Sequence, residues 1–319
     1  MNKRVCQLAF AAIIGALLSA GAAAQGYPNR PIRLIIGYGA GGVTDVLARI
    51  VAAEIGPKLG QSVVVENRPG ANAQIAAMAV KTAAPDGYTL YTGSTLTFSP
   101  TFMKDAPIMA TKDLAPISTT GVGDWFIYSA GDTGISTLKD LAQYAKTHPG
   151  GVRFASPSPA NSMLMTTAAK RLGFTFENIP YKTTDQTIQA LISGDAQVTI
   201  NAVSGFEGQV ASGKLRAIGM LGDQRSPLMP AAIPATEQGI PLTIRFAHGL
   251  WTALGTPRDA INKVSAATIE AMKNPAVVER VKNIALTAGG STPEELLKAT
   301  EAENKFYAEA AEATGFKPQ

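Results

Sequence analysis

Short apolar runs alternate with longer amphipathic stretches along most of this chain. The run Ile32-Arg33-Leu34-Ile35-Ile36 reads as a strand, and the glycine-rich loop Gly37-Tyr38-Gly39-Ala40-Gly41-Gly42 leads into an amphipathic helix opening near Val43-Thr44-Asp45. A second run, Ser62-Val63-Val64-Val65, ends on Glu66 and turns at Asn67-Arg68-Pro69-Gly70. An alanine-rich helix near Ala73–Ala83 and a strand at Tyr88–Thr92 follow. Further strands are predicted near Trp125–Ser129, Val152–Ala155, Gln197–Ile200 and Leu215–Met220, with helices at Thr137–Lys146, Ser162–Leu172 and Asp185–Ile192. A last strand near Gly249–Leu254 precedes helices at Arg258–Lys273, Ala276–Ile284 and Pro293–Ala313. This order predicts an α/β fold of mostly parallel sheets flanked by helices. The extended stretches Ser118–Asp124 and Pro227–Pro241 are hinge candidates. They divide the chain into one lobe of residues 25–124 plus 245–319 and another of residues 125–244.

The start of the chain has a different pattern. Lys3 and Arg4 precede an apolar run from Leu8 to Leu18, and Ser19-Ala20-Gly21-Ala22-Ala23-Ala24 follows. A charged start, a short hydrophobic core and an A-x-A site predict a secretory signal peptide over residues 1–24, cleaved after Ala24, and hence a periplasmic protein. The run is shorter than the roughly 20 residues that a membrane span needs. Cys6, the only cysteine, lies inside it, so the mature chain carries no thiol. Of 28 Lys and Arg residues, 26 remain once Lys3 and Arg4 are set aside, against 24 acidic ones, a net charge of +2. That balance disfavours a nucleic-acid or membrane-surface protein, which would show clustered basic residues. About 295 mature residues suffice for two cores.

A strand feeding a side-chain-poor turn into a helix leaves backbone N–H groups unpaired at the positive end of the helix dipole, which makes an anion site. Two anions fit. Gly37, Gly39 and Gly42 spell G-x-G-x-x-G, and Glu66 stands near where an acidic residue would hold a ribose, which is the pattern of an NAD(P)-dependent oxidoreductase. A small carboxylate is the other fit, and export from the cytoplasm favours it. Candidate enzyme chemistry is sparse. His148 and His248 are the only histidines, no nucleophile turn stands in a Ser-His-Asp order, and no spacing suggests a metal site. The reading is of a protein that is not an enzyme and needs no cofactor or metal.

Several motifs together resemble the periplasmic solute receptors of the tripartite tricarboxylate transporter type, the Bug proteins. They are Gly41-Gly42-Val43-Thr44-Asp45, Val64-Val65-Glu66-Asn67-Arg68-Pro69-Gly70-Ala71, Ala84-Pro85-Asp86-Gly87-Tyr88-Thr89-Leu90, Ile179-Pro180-Tyr181-Lys182, Gly213-Lys214-Leu215-Arg216-Ala217 and Gly255-Thr256-Pro257. The resemblance implies two α/β lobes of the type II periplasmic binding protein kind, in a monomer that closes on a small organic acid and presents it to a membrane permease. A carboxylate-sensing receptor with a signalling partner is the alternative. By this resemblance the first ligand loop holds Tyr38, Gly41, Gly42, Thr44 and Asp45. The second runs from Ala155 to Ser162 and offers Ser156, Asn161 and Ser162, while Ser94, Thr95 and Phe98 line the wall. Tyr181 and Asn201 complete the set. The chain departs from the family at Tyr38-Gly39-Ala40, Met163, Thr167, Thr183 and Asn201. Asn201 stands where an aspartate is common, and its loss argues against an amino-acid ligand. Trp125, Phe126 and Phe246 would suit an aromatic acid if they formed an apolar wall; di- and tricarboxylates are the other candidates.

Overall fold

Apolar runs with no polar face are expected where a strand is covered on both sides, and both sheets of this protein are built that way. The computed structural model describes residues 26–102, 107–148 and 150–316, so the expected signal peptide lies outside the described residues. The first sheet has the order β11-β4-β10-β3-β1-β2. Its strands are β1 (Ile32–Ile36), β2 (Val63–Asn67), β3 (Thr89–Ser94), β4 (Leu114–Asp124), β10 (Arg245–Ala253) and β11 (Thr287–Ala288). The second has the order β7-β6-β8-β5-β9, from β5 (Phe126–Ala130), β6 (Arg153–Ser156), β7 (Glu177–Pro180), β8 (Val198–Asn201) and β9 (Leu215–Met220).

Successive side chains of a strand point to opposite faces, and the cores follow that rule. Leu34, Ile36, Leu90 and Leu250 pack on α1 (Val43–Leu59), α8 (Arg258–Met272) and α9 (Pro275–Lys282) through Leu47, Val51, Ile55, Val264 and Val281. Their neighbours Ile35, Tyr91 and Trp251 face the other way. They meet Ala76, Ala77 and Val80 of α2 (Gln74–Lys81) and Leu296 of α10 (Pro293–Thr314). In the second sheet, Ile127, Phe154, Val198 and Ile200 pack on α4 (Leu138–Thr147) and α5 (Pro159–Leu172). Phe126, Tyr128 and Ala155 turn toward α6 (Thr184–Ile192).

The sheets are mixed rather than mostly parallel. β1 is parallel to β2 and β3, and β6 to β7 and β8. β10 runs antiparallel to β3 and β4, and β5 runs antiparallel to β8 and β9. The cause is the passage of the chain between sheets. β4 leaves the first sheet at Asp124, and Trp125 alone separates it from β5 in the second. The chain comes back along β10, which must therefore oppose β4. An ion pair of 2.6 Å between Arg245 Nε and buried Asp124 Oδ1 joins the start of β10 to the end of β4. The stretch Ser118–Asp124, predicted as an extended hinge, is the second half of this long strand.

Helix α10 belongs to both cores. Leu296 packs in the first, while Tyr307 and Ala310 pack in the second, where Phe102 meets the Tyr307 ring edge-on at 5.0 Å. Between these contacts lies Glu303, only 5% exposed, whose Oε1 has no hydrogen-bond partner among the described residues. Burial pushes its carboxyl up to about 8 from the usual 4.5, partly offset by the Thr95 hydroxyl. The folded protein therefore holds this proton more tightly than the unfolded chain. The stabilisation is full below about 4.5 and is lost as pH rises toward 8, by up to about 1.4 kcal/mol per pH unit. Glu303→Gln should melt higher than the parent at pH 8 and show a smaller gain at pH 5. Equal gains at both values, read by thermal unfolding, would remove the buried acid from this account.

Candidate functional site

The parallel strands of each sheet point their C-terminal ends toward the crossing. Ile36 pairs with Asn67 and with Thr92, so the loops after β1, β2 and β3 leave the first sheet together. Ser94 lies opposite His248, three residues from Arg245 and the crossing pair. In the second sheet Ser156 pairs with Pro180, and Asn201 pairs with Phe126, the residue directly after Trp125. The carboxyl ends of both sheets thus open on one crevice, the usual place for a ligand in open α/β sheets.

The first loop is held by side chains around it. Asp45, 3% exposed, accepts a hydrogen bond from the Gly41 backbone N–H at 3.0 Å. Arg49 donates to both its oxygens at 3.0 Å, and Asn67 Nδ2 donates to Oδ1 at 2.9 Å. Asn67 Nδ2 also reaches the Tyr38 carbonyl at 3.0 Å, and Asn67 Oδ1 accepts from Arg49 at 3.2 Å. The Arg49 bonds hold the Asp45 carboxyl down at about 2; burial opposes them, and Gly41 N–H and Asn67 assist. Gly41 sits at φ +86°, where a side chain would strain the backbone. Gly42 is the exposed, extended N-cap of α1 and supplies no side-chain cap. The N–H groups of Val43 and Thr44 begin the helix without intrahelical partners. Thr44 is buried and Tyr38 half-buried.

Beside this loop the chain takes a rare course. Ala71, Asn72 and Ala73 all have positive φ, from 44° to 66°. They bring Ala73 so close to Gly37 that a Cβ on Gly37 would stand 2.0 Å from the Ala73 Cβ. Glu66, at the end of β2, is taken up by Arg33 and Arg68, each at 2.7 Å.

The residues after β3 and in the second lobe also bond mainly to one another. Thr95, buried, donates to the Ala247 carbonyl at 3.0 Å and accepts from its N–H at 3.3 Å; Ser94 is half-buried. Ser156 Oγ donates to the Ser158 carbonyl at 2.8 Å and lies 2.6 Å from Ser162 Oγ. Ser162 reaches Asn178 at 3.0 Å. Asn161 donates to the Ile200 carbonyl and accepts from the Ser158 hydroxyl. Asn201 donates to the Thr199 hydroxyl at 2.9 Å and the Thr187 hydroxyl at 3.4 Å. Tyr181 is half-buried, and its N–H reaches the Ser156 carbonyl at 2.8 Å. Helix α5 starts at Ser158 without a side-chain cap.

The twelve expected positions lie at or just after the carboxyl ends of β1, β3, β6, β7 and β8 and in the first turns of the helices that follow. The two helices that start there, α1 and α5, carry no side-chain cap. Of the three residues expected as an aromatic wall, Phe126 is fully buried in the core, and Trp125 packs against half-buried Phe246 with ring centroids 4.9 Å apart. The Phe98 side chain lies outside the described ones. His248 is buried, and burial lowers it to about 4, so it is neutral at ordinary pH. Among the described residues no group of three or more His, Cys, Asp or Glu could hold a metal. Sequence reading passed over Arg49 and Asn67. The i, i+4 spacing of Asp45 and Arg49 on one helix face was the available signal for the first; Asn67 looked like a turn former.

Two lobes, each a helix-flanked sheet, with both carboxyl edges on one crevice define a periplasmic binding protein fold. The 27% identical periplasmic binding protein BugD shares it, with a TM-score of 0.69 over 92% of this chain and 100% of that one. Residues 47–305 match the profile of the tripartite tricarboxylate transporter family receptor, TctC. Protein BugT of Bordetella pertussis is 32% identical over 86% of this chain and 85% of its own length. The chain belongs to this receptor family. MatC of Rhodopseudomonas palustris, solved with bound malate, shares the fold at 24% identity and a TM-score of 0.68, over 89% of this chain and 99% of that one.

The contact of Gly37 with Ala73 makes a direct prediction. Gly37→Ala places its new carbon 2.4 Å from the Ala73 Cα, so backbone must move. We expect a loss of about 1–3 kcal/mol in denaturant unfolding. An unchanged midpoint would show that the loop after β2 does not brace the loop after β1.

Proposed function

We propose that this protein is a periplasmic receptor that closes its lobes on a small organic carboxylate and hands it to a membrane permease, without chemical conversion. The lobes that move are residues 25–124 plus 245–319 and residues 125–244, with α10 lying across both. One observation carries the reading: two helix starts without side-chain caps open on a single crevice, where the nearby Asp45 and Arg49 already neutralise each other. Oriented N–H groups at a helix start favour an anion without a free cation. The ligand set is Gly42, Thr44 and the α1 start from one lobe, and the α5 start with Ser162 from the other. Tyr38, Ser94 and Tyr181 bound the space. Thr95, Ser156, Asn161 and Asn201 shape the walls through the bonds they make within each lobe. With Asn201 in place of a carboxylate, nothing in this set pairs with an ammonium group, which favours di- and tricarboxylates over amino acids. The malate held by MatC is of that class.

A dinucleotide fits poorly, because Glu66 is bound by two arginines and Gly37 is packed on Ala73. Closure follows ligand only if the acid binds the closed arrangement better than the open one.

Thermal-shift and calorimetric titration with malate, adipate, citrate, benzoate, aspartate and NAD tests this reading. At a hundredfold excess over Kd an acid should stabilise the protein by about 2.7 kcal/mol, and NAD should leave it unchanged. Gly42→Asp should abolish the acid's effect while the melting transition stays cooperative. A response to NAD alone would overturn the proposal.

A further inference from the structure

The carboxylate of Asp45 stands in the first turn of the same helix whose start is assigned to an anionic ligand. Left as a bare charge, it would repel that ligand. It is instead enclosed by four donor contacts: Gly41 N–H, Arg49 Nε, Arg49 Nη2 and Asn67 Nδ2. The guanidinium is half-exposed, whereas the carboxylate is buried. Asn67 adds a second anchor by holding the Tyr38 carbonyl at the opposite end of the loop. The glycine-rich turn is therefore fastened at Tyr38 and at Gly41, on either side of the Gly39-Ala40 step.

We propose that Asp45, Arg49 and Asn67 form a charge-balanced clamp that positions the ligand-binding loop, with Arg49 acting to cancel Asp45 rather than to touch the ligand. This rests on the carboxylate reading above. The clamp serves two ends at once. Asp45 draws the Gly41 N–H back toward the helix, which settles the direction of the turn and leaves the N–H groups of Val43 and Thr44 facing the crevice. Arg49 removes the penalty that an acidic anchor would otherwise impose on an anionic ligand. Asn67 is the neutral part of the clamp; it touches both the loop and the ion pair, and so links the end of β2 to them.

The test is a charge cycle read by calorimetry at low and high salt, with malate, adipate, citrate and benzoate as probes. Arg49→Met leaves the carboxylate uncompensated and should weaken binding on the order of ten-fold or more at low salt, with the loss shrinking as salt screens it. Asp45→Asn keeps an oxygen for Gly41 N–H and frees the guanidinium, so it should bind more tightly at low salt and fall more steeply with salt. Asp45→Asn/Arg49→Met should recover to within about three-fold of the parent. Asn67→Ala should weaken binding with no change in salt dependence, because it removes an anchor and no charge. If Arg49→Met binds like the parent, or if Asp45→Asn loses as much as Arg49→Met, the charge-balancing role is wrong. If the unmodified protein binds none of the four acids, the carboxylate reading itself fails, and the clamp loses its ligand with it.

Discussion

Passage of the chain between its two sheets is the constraint on which the rest depends. One residue, Trp125, separates β4 from β5, and the return along β10 is tied to the same place by the Arg245–Asp124 pair. With so short a crossing, the strand ends on either side of it cannot diverge, and the parallel strands of both sheets bring their carboxyl ends there. Helix starts follow carboxyl ends of strands in βα units, so the crossing brings positive helix ends toward one another. The anion affinity proposed for the crevice rests on this connectivity before any particular side chain is considered.

Around the crevice, side chains mostly neutralise one another. Asp45 is met by Arg49, Glu66 by Arg33 and Arg68, and Asp124 by Arg245. The hydroxyls and amides of Ser156, Ser162, Asn161 and Asn201 bond within their own lobe. A site lined this way presents a field made by backbone dipoles, with little net charge of its own. On the proposed reading, such a field discriminates by the spacing and number of anionic oxygens.

Much of the fold was legible because both sheets are covered on both faces, so their strands stand out as dense apolar runs such as Leu34-Ile35-Ile36. The long strand β4 escaped as a strand for a physical reason. Ser118, Thr119, Thr120 and Gly121 are small and polar because the space is tight and the partners are backbone. Thr120 donates to the His248 carbonyl at 3.1 Å, and a Cβ on Gly121 would stand 3.1 Å from Leu47. The edge strand β7 is mostly exposed and ends in Pro180, and β11 has two residues; neither carries a periodic signal. The antiparallel members were missed because alternation of strands and helices reports covering layers and says nothing about a chain that leaves a sheet and comes back. In the site, residue types were readable but their bonding was not. Asp45 and Asn161 look like ligand contacts in one dimension, and only the fold shows that Arg49 and Ile200 occupy them.

The long helix α10 adds a consequence for how such a chain matures. Leu296 completes one core and Tyr307 with Ala310 the other, yet these residues are synthesised after every strand they cover. Neither sheet can bury its last apolar surface until this helix has emerged from the ribosome. A nascent chain of this design stays loosely packed until late in its synthesis, which suits the export proposed for it.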